Sequence, residues 1–115
     1  MPRSGQPTTL TDLQQLVVKF REDRDWKQFH NPKDMAIALS VEASELLEVF
    51  LWKKSEEADV ARVKEELADI FAFAFQIAAH YNLDIPQIVS EKMEKNKLKY
   101  PVEKAKGTAK KYTEL

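Results

Sequence analysis

Cysteine is absent from this 115-residue chain, which excludes disulfides, thiolate metal ligation and a cysteine nucleophile, and fits a reducing, intracellular home. Glycine is almost missing too, since Gly5 and Gly107 are the only two and both lie near the ends. An excess of either charge is also lacking: 18 basic against 19 acidic residues leave a formal charge of −1, so nothing in the balance points to a nucleic-acid polymer or a membrane. No run approaches the roughly 20 apolar residues that span a bilayer, and "MPRSGQPTTL" lacks the apolar core of a signal peptide. A cytoplasmic location is the expectation.

What is present is hydrophobic residue at helical spacing. Apolar side chains make up 43% of the chain, enough for one domain with a moderate core, and they recur at three and four rather than alternating. The spacing predicts four helices. The first covers about 11–25, with Thr9 or Thr11 as cap and Leu13, Leu16, Val17 and Phe20 on its inner face. Asn31 caps the second, with Pro32 at its first position, and it runs to about residue 53. Ser55 caps a third over about 57–81, and Asp84 a fourth over about 85–99 with Pro86 in its first turn. The tail from Pro101 reads as irregular. With such short links, neighbouring helices should be antiparallel, in an all-α, four-helix bundle-type fold. Residues 1–9 read as a flexible N-terminus, 10–100 as the all-α domain and 101–115 as a tail.

Two of these helices carry acids where a core should be. On a wheel of 3.6 residues per turn, Met35, Ala38, Leu39, Leu46 and Val49 all lie within about 60° of Glu42. Glu45 sits at the edge of that stripe. In the third helix Glu66 is flanked by Val63, Ile70, Phe73 and Ile77, and Asp69 takes the edge. A lone Glu-x-x-Glu is ordinarily a solvated helix face, but two copies, each centred on an apolar stripe, are not. An ionised carboxylate withdrawn from water costs several kcal/mol even after relaxation, and four would exceed the ~5–15 kcal/mol that holds a domain together. The facing positions are apolar, and Arg62 and Lys64, bordering the stripe, could serve one acid each. A bound cation solves the problem, and oxygen-only ligands favour a hard ion, Mg²⁺ or Mn²⁺. Mg²⁺ is held through a few carboxylates plus substrate phosphates, so the cluster is a phosphate-chemistry site by expectation. A di-iron bundle needs Glu-x-x-His, and no histidine stands three after Glu42, Glu45, Glu66 or Glu91.

The ordered set "RDWKQFHNPKDMAIALSVEASELLEVFLW", "EELADIFAF", "KMEKNKLKYPV" and "KGTAKKYTEL" resembles the MazG-like nucleotide pyrophosphohydrolases of the all-α NTP pyrophosphatase superfamily, in particular their dCTP pyrophosphatase branch. The likeness runs from about residue 10 to the C-terminus. It implies hydrolysis of an NTP to NMP and pyrophosphate, with Glu42, Glu45, Glu66 and Asp69 as Mg²⁺ ligands. Any cluster carboxylate could take the proton of the attacking water; Glu45 and Glu42 are the catalytic candidates, and Glu48 and Glu65 are expected to be exposed or outside the metal's ligand set. The resemblance places Trp26 and Trp52 in a nucleobase pocket with His30 and Phe29 nearby, where residue reading alone leaves pocket and core equally open for the tryptophans. His80 reads as structural. Lys92, Asn96, Lys99 and Tyr100, spaced by three and four, share one face and would grip phosphates; Lys110, Lys111 and Tyr112 would close over a neighbour's site. Phe73 stands where relatives carry a pocket tyrosine, which loses a hydroxyl, and Lys99 where arginine is common, which loses a bidentate contact. The turn between helices two and three is shorter than in some relatives.

The resulting expectation is a Mg²⁺-dependent housecleaning enzyme for dCTP or a modified pyrimidine dNTP, assembled as a homodimer or homotetramer. Its alternatives are a dUTPase-like or broad-specificity NTP pyrophosphatase and a non-catalytic helical interaction module.

Overall fold

The computed structural model describes residue 6 and residues 9–115; the expected flexible N-terminus, 1–9, lies outside the described residues except for 6 and 9. No strand occurs among the described residues. Helix α1 covers Leu10–Asp23, α2 Pro32–Val49, α3 Val60–His80, α4 Ile85–Lys99 and a short α5 Val102–Ala105. Single turns of 3₁₀ helix at Lys27–Phe29, Ser55–Glu57 and Tyr112–Glu114 fill the connections and the tail.

Each long helix starts where a short polar side chain can receive its orphan N–H groups. Thr9 Oγ1 accepts from Asp12 N at 3.0 Å, and Asn31 Oδ1 accepts from Asp34 N at 2.8 Å. Asp84 accepts from Gln87 N at 3.1 Å. The third helix starts differently from expectation. Asp59, not Ser55, is its cap, accepting from Ala61 N at 3.0 Å. Ser55 opens the preceding 3₁₀ turn, where the Glu57 side chain accepts from Lys54 N, so α3 begins at Val60 rather than near 57.

The helix ends also differ. The first helix stops at Asp23 and Asp25 turns left-handed (φ 55°), and α2 stops at Val49 rather than near 53, with Trp52 left-handed (φ 60°). Asn82 closes α3 in the same way at φ 54°. Asp and Asn tolerate this region because their short polar side chains satisfy the backbone locally, but a tryptophan gains no such relief. Without Gly or Pro after Val49, nothing in the sequence marks that stop. The tail, expected to be irregular, instead forms α5 and the Tyr112–Glu114 turn, and Tyr100 and Tyr112 meet edge to face with centroids 6.0 Å apart.

The chain divides into two compact units, one running to Asn82 with α1–α3 and one of Leu83–Leu115 with α4 and α5. In the first unit α3 packs against both α2 and α1. Met35, Val49, Phe75 and Ala78 are its buried hydrophobic residues. Leu13, Val17, Leu39, Leu46, Val63, Ile70, Phe73 and Ile77 are half-buried. Many large apolar side chains stay exposed, Leu47, Phe71 and Val60 among them. A core this thin follows from helices whose apolar stripes are wider than the surfaces they meet.

Candidate active site

The packing of α2 on α3 draws in whatever lies along the two stripes. On α2, Glu42 stands two turns after buried Met35 and two turns before buried Val49. On α3, Glu66 lies between half-buried Val63 and Ile70. The helices therefore bring Glu42, Glu45 and Glu66 together, one carboxylate oxygen of each within 4.8 Å of the others. All three are half-buried, whereas Glu48 and Glu65 are exposed.

Among the described residues, no donor from outside the cluster reaches two of its buried oxygens. Glu42 Oε2 and Glu66 Oε2 are buried without a hydrogen-bond partner. The ion pairs found among the described residues are the exposed Lys19–Asp23 and Lys97–Glu94, so Arg62 and Lys64 pair with no acid. The Glu42 carboxyl is pushed from 4.5 up to about 7. Burial is the largest cause, followed by hydrogen bonding with the Glu66 and Glu45 carboxyls and then by the negative charges of Glu45 and Asp69. Three acids this close must share a proton or a cation. The donor set consists of oxygen ligands with no histidine or cysteine, and two of the oxygens lack partners, so it fits a hard divalent ion.

Asp69 follows Glu66 by one turn. It is exposed and stands outside the group of three, though its charge reaches Glu42. Asp69 lines instead a neighbouring cavity of about 350 Å³, walled by Phe20, Arg21, Trp26, His30, Phe73 and Gln76 together with apolar residues of α1 and α3. That volume is at the lower end of small-molecule sites. Its aromatic rings form a connected series. Phe20 meets Trp26 edge-on at 5.8 Å, Trp26 meets His30 at 6.0 Å, and His30 meets Phe73 edge-on at 6.5 Å. His30 Nδ1 lies 3.2 Å from Gln76 Oε1. An amide oxygen can only accept, so Nδ1 is the donor in this contact.

Of the residues expected at a base pocket, the structure thus brings Trp26, His30 and Phe73 to one cavity beside the acids. Trp52 is not among the cavity's walls. It sits in the turn after α2 at 93% exposure, and Phe29 is also exposed. His80 is exposed in the last turn of α3, edge-on to Tyr81 at 5.0 Å. Lys92, Asn96, Lys99 and Tyr100 belong to the second unit. There Asn96 is half-buried and its carbonyl accepts from Tyr100 N at 2.8 Å, while Lys99 Nζ stands 4.8 Å from the Tyr112 ring centre. Lys92 is exposed.

Sequence reasoning missed Gln76 and Arg21. Gln76 lies seven residues after Asp69 and three after Phe73, a spacing that places it on their face, but a glutamine in a helix reads as solvated. Arg21 occupies the last turn of α1, where a cation is ordinarily an exposed partner of the helix dipole. Here it is buried.

Comparison with known proteins agrees with this geometry. The chain is 41% identical to dCTP pyrophosphatase 1 of Bos taurus over 97% of its own length and 70% of that protein. It is 37% identical to dCTP pyrophosphatase 1 of Homo sapiens over 93% and 68%. A crystal structure of a pyrophosphatase from Archaeoglobus fulgidus superposes with a TM-score of 0.76 at 31% identity, covering 87% of this chain and 99% of that one. The model of the MazG-like family matches residues 37–115, which include the whole acidic cluster. With both its sequence and its fold matched in this way, the chain belongs to the MazG-like family.

Proposed function

We propose that this nucleotide pyrophosphohydrolase converts dCTP, or a dCTP modified on the base, to the monophosphate and pyrophosphate in a Mg²⁺-dependent reaction that cleans the nucleotide pool. The observation that carries the reading is the convergence of Glu42, Glu45 and Glu66 with two buried carboxylate oxygens lacking donors. The relatives named dCTP pyrophosphatase 1 supply the nucleotide.

Glu42, Glu45 and Glu66 would hold the ion, with Asp69 at the edge nearest the cavity. When bound, a divalent ion neutralises triphosphate charge and polarises the α-phosphoryl group. Glu45 accepts the proton of the water that attacks the α-phosphorus, and the bond from that phosphorus to the bridging oxygen breaks as pyrophosphate leaves. Glu42 and Glu66 would act on the phosphates only through the ion that they hold. The base enters the cavity, where the faces of Trp26 and Phe73 offer stacking and exclude water. Lys92, Asn96, Lys99 and Tyr100 would grip the phosphates, and the Lys110–Tyr112 region would close over a neighbouring subunit.

Assembly as a homodimer or homotetramer belongs to the same reading. Its support is the number of large apolar side chains left exposed on the first unit. A native mass that stays monomeric at micromolar concentration would refute it.

The deciding experiment is pyrophosphate release from a panel of dNTPs, NTPs and 5-modified dCTPs with Mg²⁺, with Glu42→Gln as control. Release from dCTP-type substrates that disappears in the variant is the expected result. Hydrolysis mainly of dUTP would keep the chemistry and reassign the base. Metal binding without hydrolysis of any nucleotide would leave a helical scaffold in place of an enzyme.

A further inference from the structure

Among the described residues, Arg21 is the one lysine or arginine in the wall of the cavity beside the acids, and it is 5% exposed. Its surroundings do not satisfy it. Nε is buried without a partner, and Nη1 reaches only the thioether of Met35, at 3.7 Å. A thioether is a weak acceptor. Asp69 lines the same cavity, yet no ion pair links the two. A guanidinium carries five N–H donors in a rigid fork, and burying it without acceptors is costly. Its place is nevertheless well defined. The Arg21 carbonyl accepts from Trp26 N at 3.0 Å, which joins the backbones that carry the guanidinium and the Trp26 ring.

Resting on the function proposed above, we infer that Arg21 determines the choice of base by donating to adjacent acceptors on the edge of a pyrimidine stacked in this cavity. Cytosine offers N3 and O2 side by side, both acceptors, a pair that a guanidinium fork can engage with two parallel hydrogen bonds. Uracil and thymine place an N3–H donor in the middle of that edge, so the fork meets a donor and loses one bond. Discrimination follows from the polar group left unpaired with the wrong base, more than from added attraction to the right one. The aromatic series Phe20, Trp26, His30 and Phe73 holds any flat ring and does not distinguish the two. Arg21 is therefore a specificity-determining residue, separate from the acids that carry the chemistry.

The test measures kcat/KM of the full chain for dCTP, dUTP and 3-deaza-dCTP, which lacks the N3 acceptor, in wild type, Arg21→Leu and Arg21→Lys. Wild type should prefer dCTP to both others. Arg21→Leu should lower kcat/KM for dCTP about 10- to 100-fold, the worth of a two-bond base contact, and lower it much less for dUTP and 3-deaza-dCTP, which keep one bond at most, so that selectivity collapses. Arg21→Lys, with a charge but no fork, should fall between. A parallel loss on all three substrates would assign Arg21 a packing role and overturn the inference, as would undiminished selectivity in Arg21→Leu. Should Arg21→Leu fail to fold, wild type decides alone: equal rates on dCTP and 3-deaza-dCTP overturn the inference. Wild-type silence on every nucleotide would instead refute the function itself, a result distinct from active enzyme with unaltered selectivity.

Discussion

Glu42 and Glu66 meet between α2 and α3 with one oxygen of each buried and no donor to either. Two carboxylates in that relation resist being ionised together without a cation, so the metal-free protein holds a proton there up to about pH 7. The raised Glu42 value of about 7 expresses this.

Divalent-ion affinity should therefore rise with pH. Below about 7 the ion must displace the Glu42 proton, and above it the carboxylate is free to bind. Calorimetric titration with Mg²⁺ and Mn²⁺ at pH 6 and pH 8 should show tighter binding and less proton release at the higher pH. Glu42→Gln, which replaces an ionised ligand by a neutral amide, should weaken binding on the order of 100-fold and remove most of the pH dependence. Equal affinity at the two pH values would contradict the shared-proton account.

Stability of the metal-free protein should change in the opposite direction. The folded value of Glu42 lies above its ordinary 4.5, so the folded state holds the proton more tightly than the unfolded chain. That contribution is fully present below about 4.5 and lost as pH rises through about 7. The loss is on the order of 2 kcal/mol, several degrees in Tm for a chain of this size. Thermal melts from pH 5 to pH 8 should show wild type losing more than Glu42→Gln, which has no proton to lose, and saturating Mg²⁺ should restore Tm at pH 8.

Trp26 and Trp52 should separate cleanly. Trp26→Ala removes a ring from the cavity wall and should raise KM about 5- to 100-fold, the worth of one stacked base, with a smaller effect on kcat. Trp52→Gly removes a 93% exposed ring from a left-handed position and should stabilise the isolated protein by up to about 1 kcal/mol of relieved backbone strain, read as a rise in Tm. A fall in Tm, or a KM penalty as large as that of Trp26→Ala, would mean that Trp52 is covered in the working assembly.

The contact of His30 with Gln76 fixes which ring nitrogen is protonated. Gln76→Leu deletes the acceptor of the Nδ1 proton and leaves a half-buried imidazole free to rotate. A loss of about 1–2 kcal/mol in stability is expected, together with a weaker KM. Gln76→Glu should retain the contact and most of the stability, and the NMR chemical shifts of the His30 ring would report it directly. Unchanged His30 ring shifts in both variants would dissolve the pair.

Much of the site was legible before any coordinates. The period of 3.6 residues puts Glu42 and Glu66 on apolar stripes whatever the tertiary arrangement, and Thr9, Asn31 and Asp84 announce helix starts because their side chains serve N–H groups only three residues away. The stop of α2 was not legible, since Phe50, Leu51 and Trp52 are as compatible with a helix as with the turn they form. Nor was the start of α3, where Ser55 and Asp59 are both good caps and the choice depends on the 3₁₀ turn between them.

Local periodicity by itself determined an all-helical chain with an acid at the centre of each of two apolar stripes, because hydrogen bonding and side-chain direction in a helix reach only four residues. Which acids meet was decided by the packing of α2 on α3, which gathers Glu42, Glu45 and Glu66 and leaves Asp69 facing the neighbouring cavity. The burial of Arg21 and Gln76 was likewise a tertiary result. A polar side chain reads as solvated until a second helix covers it, and contacts between residues 14 to 61 positions apart carry no trace in local spacing.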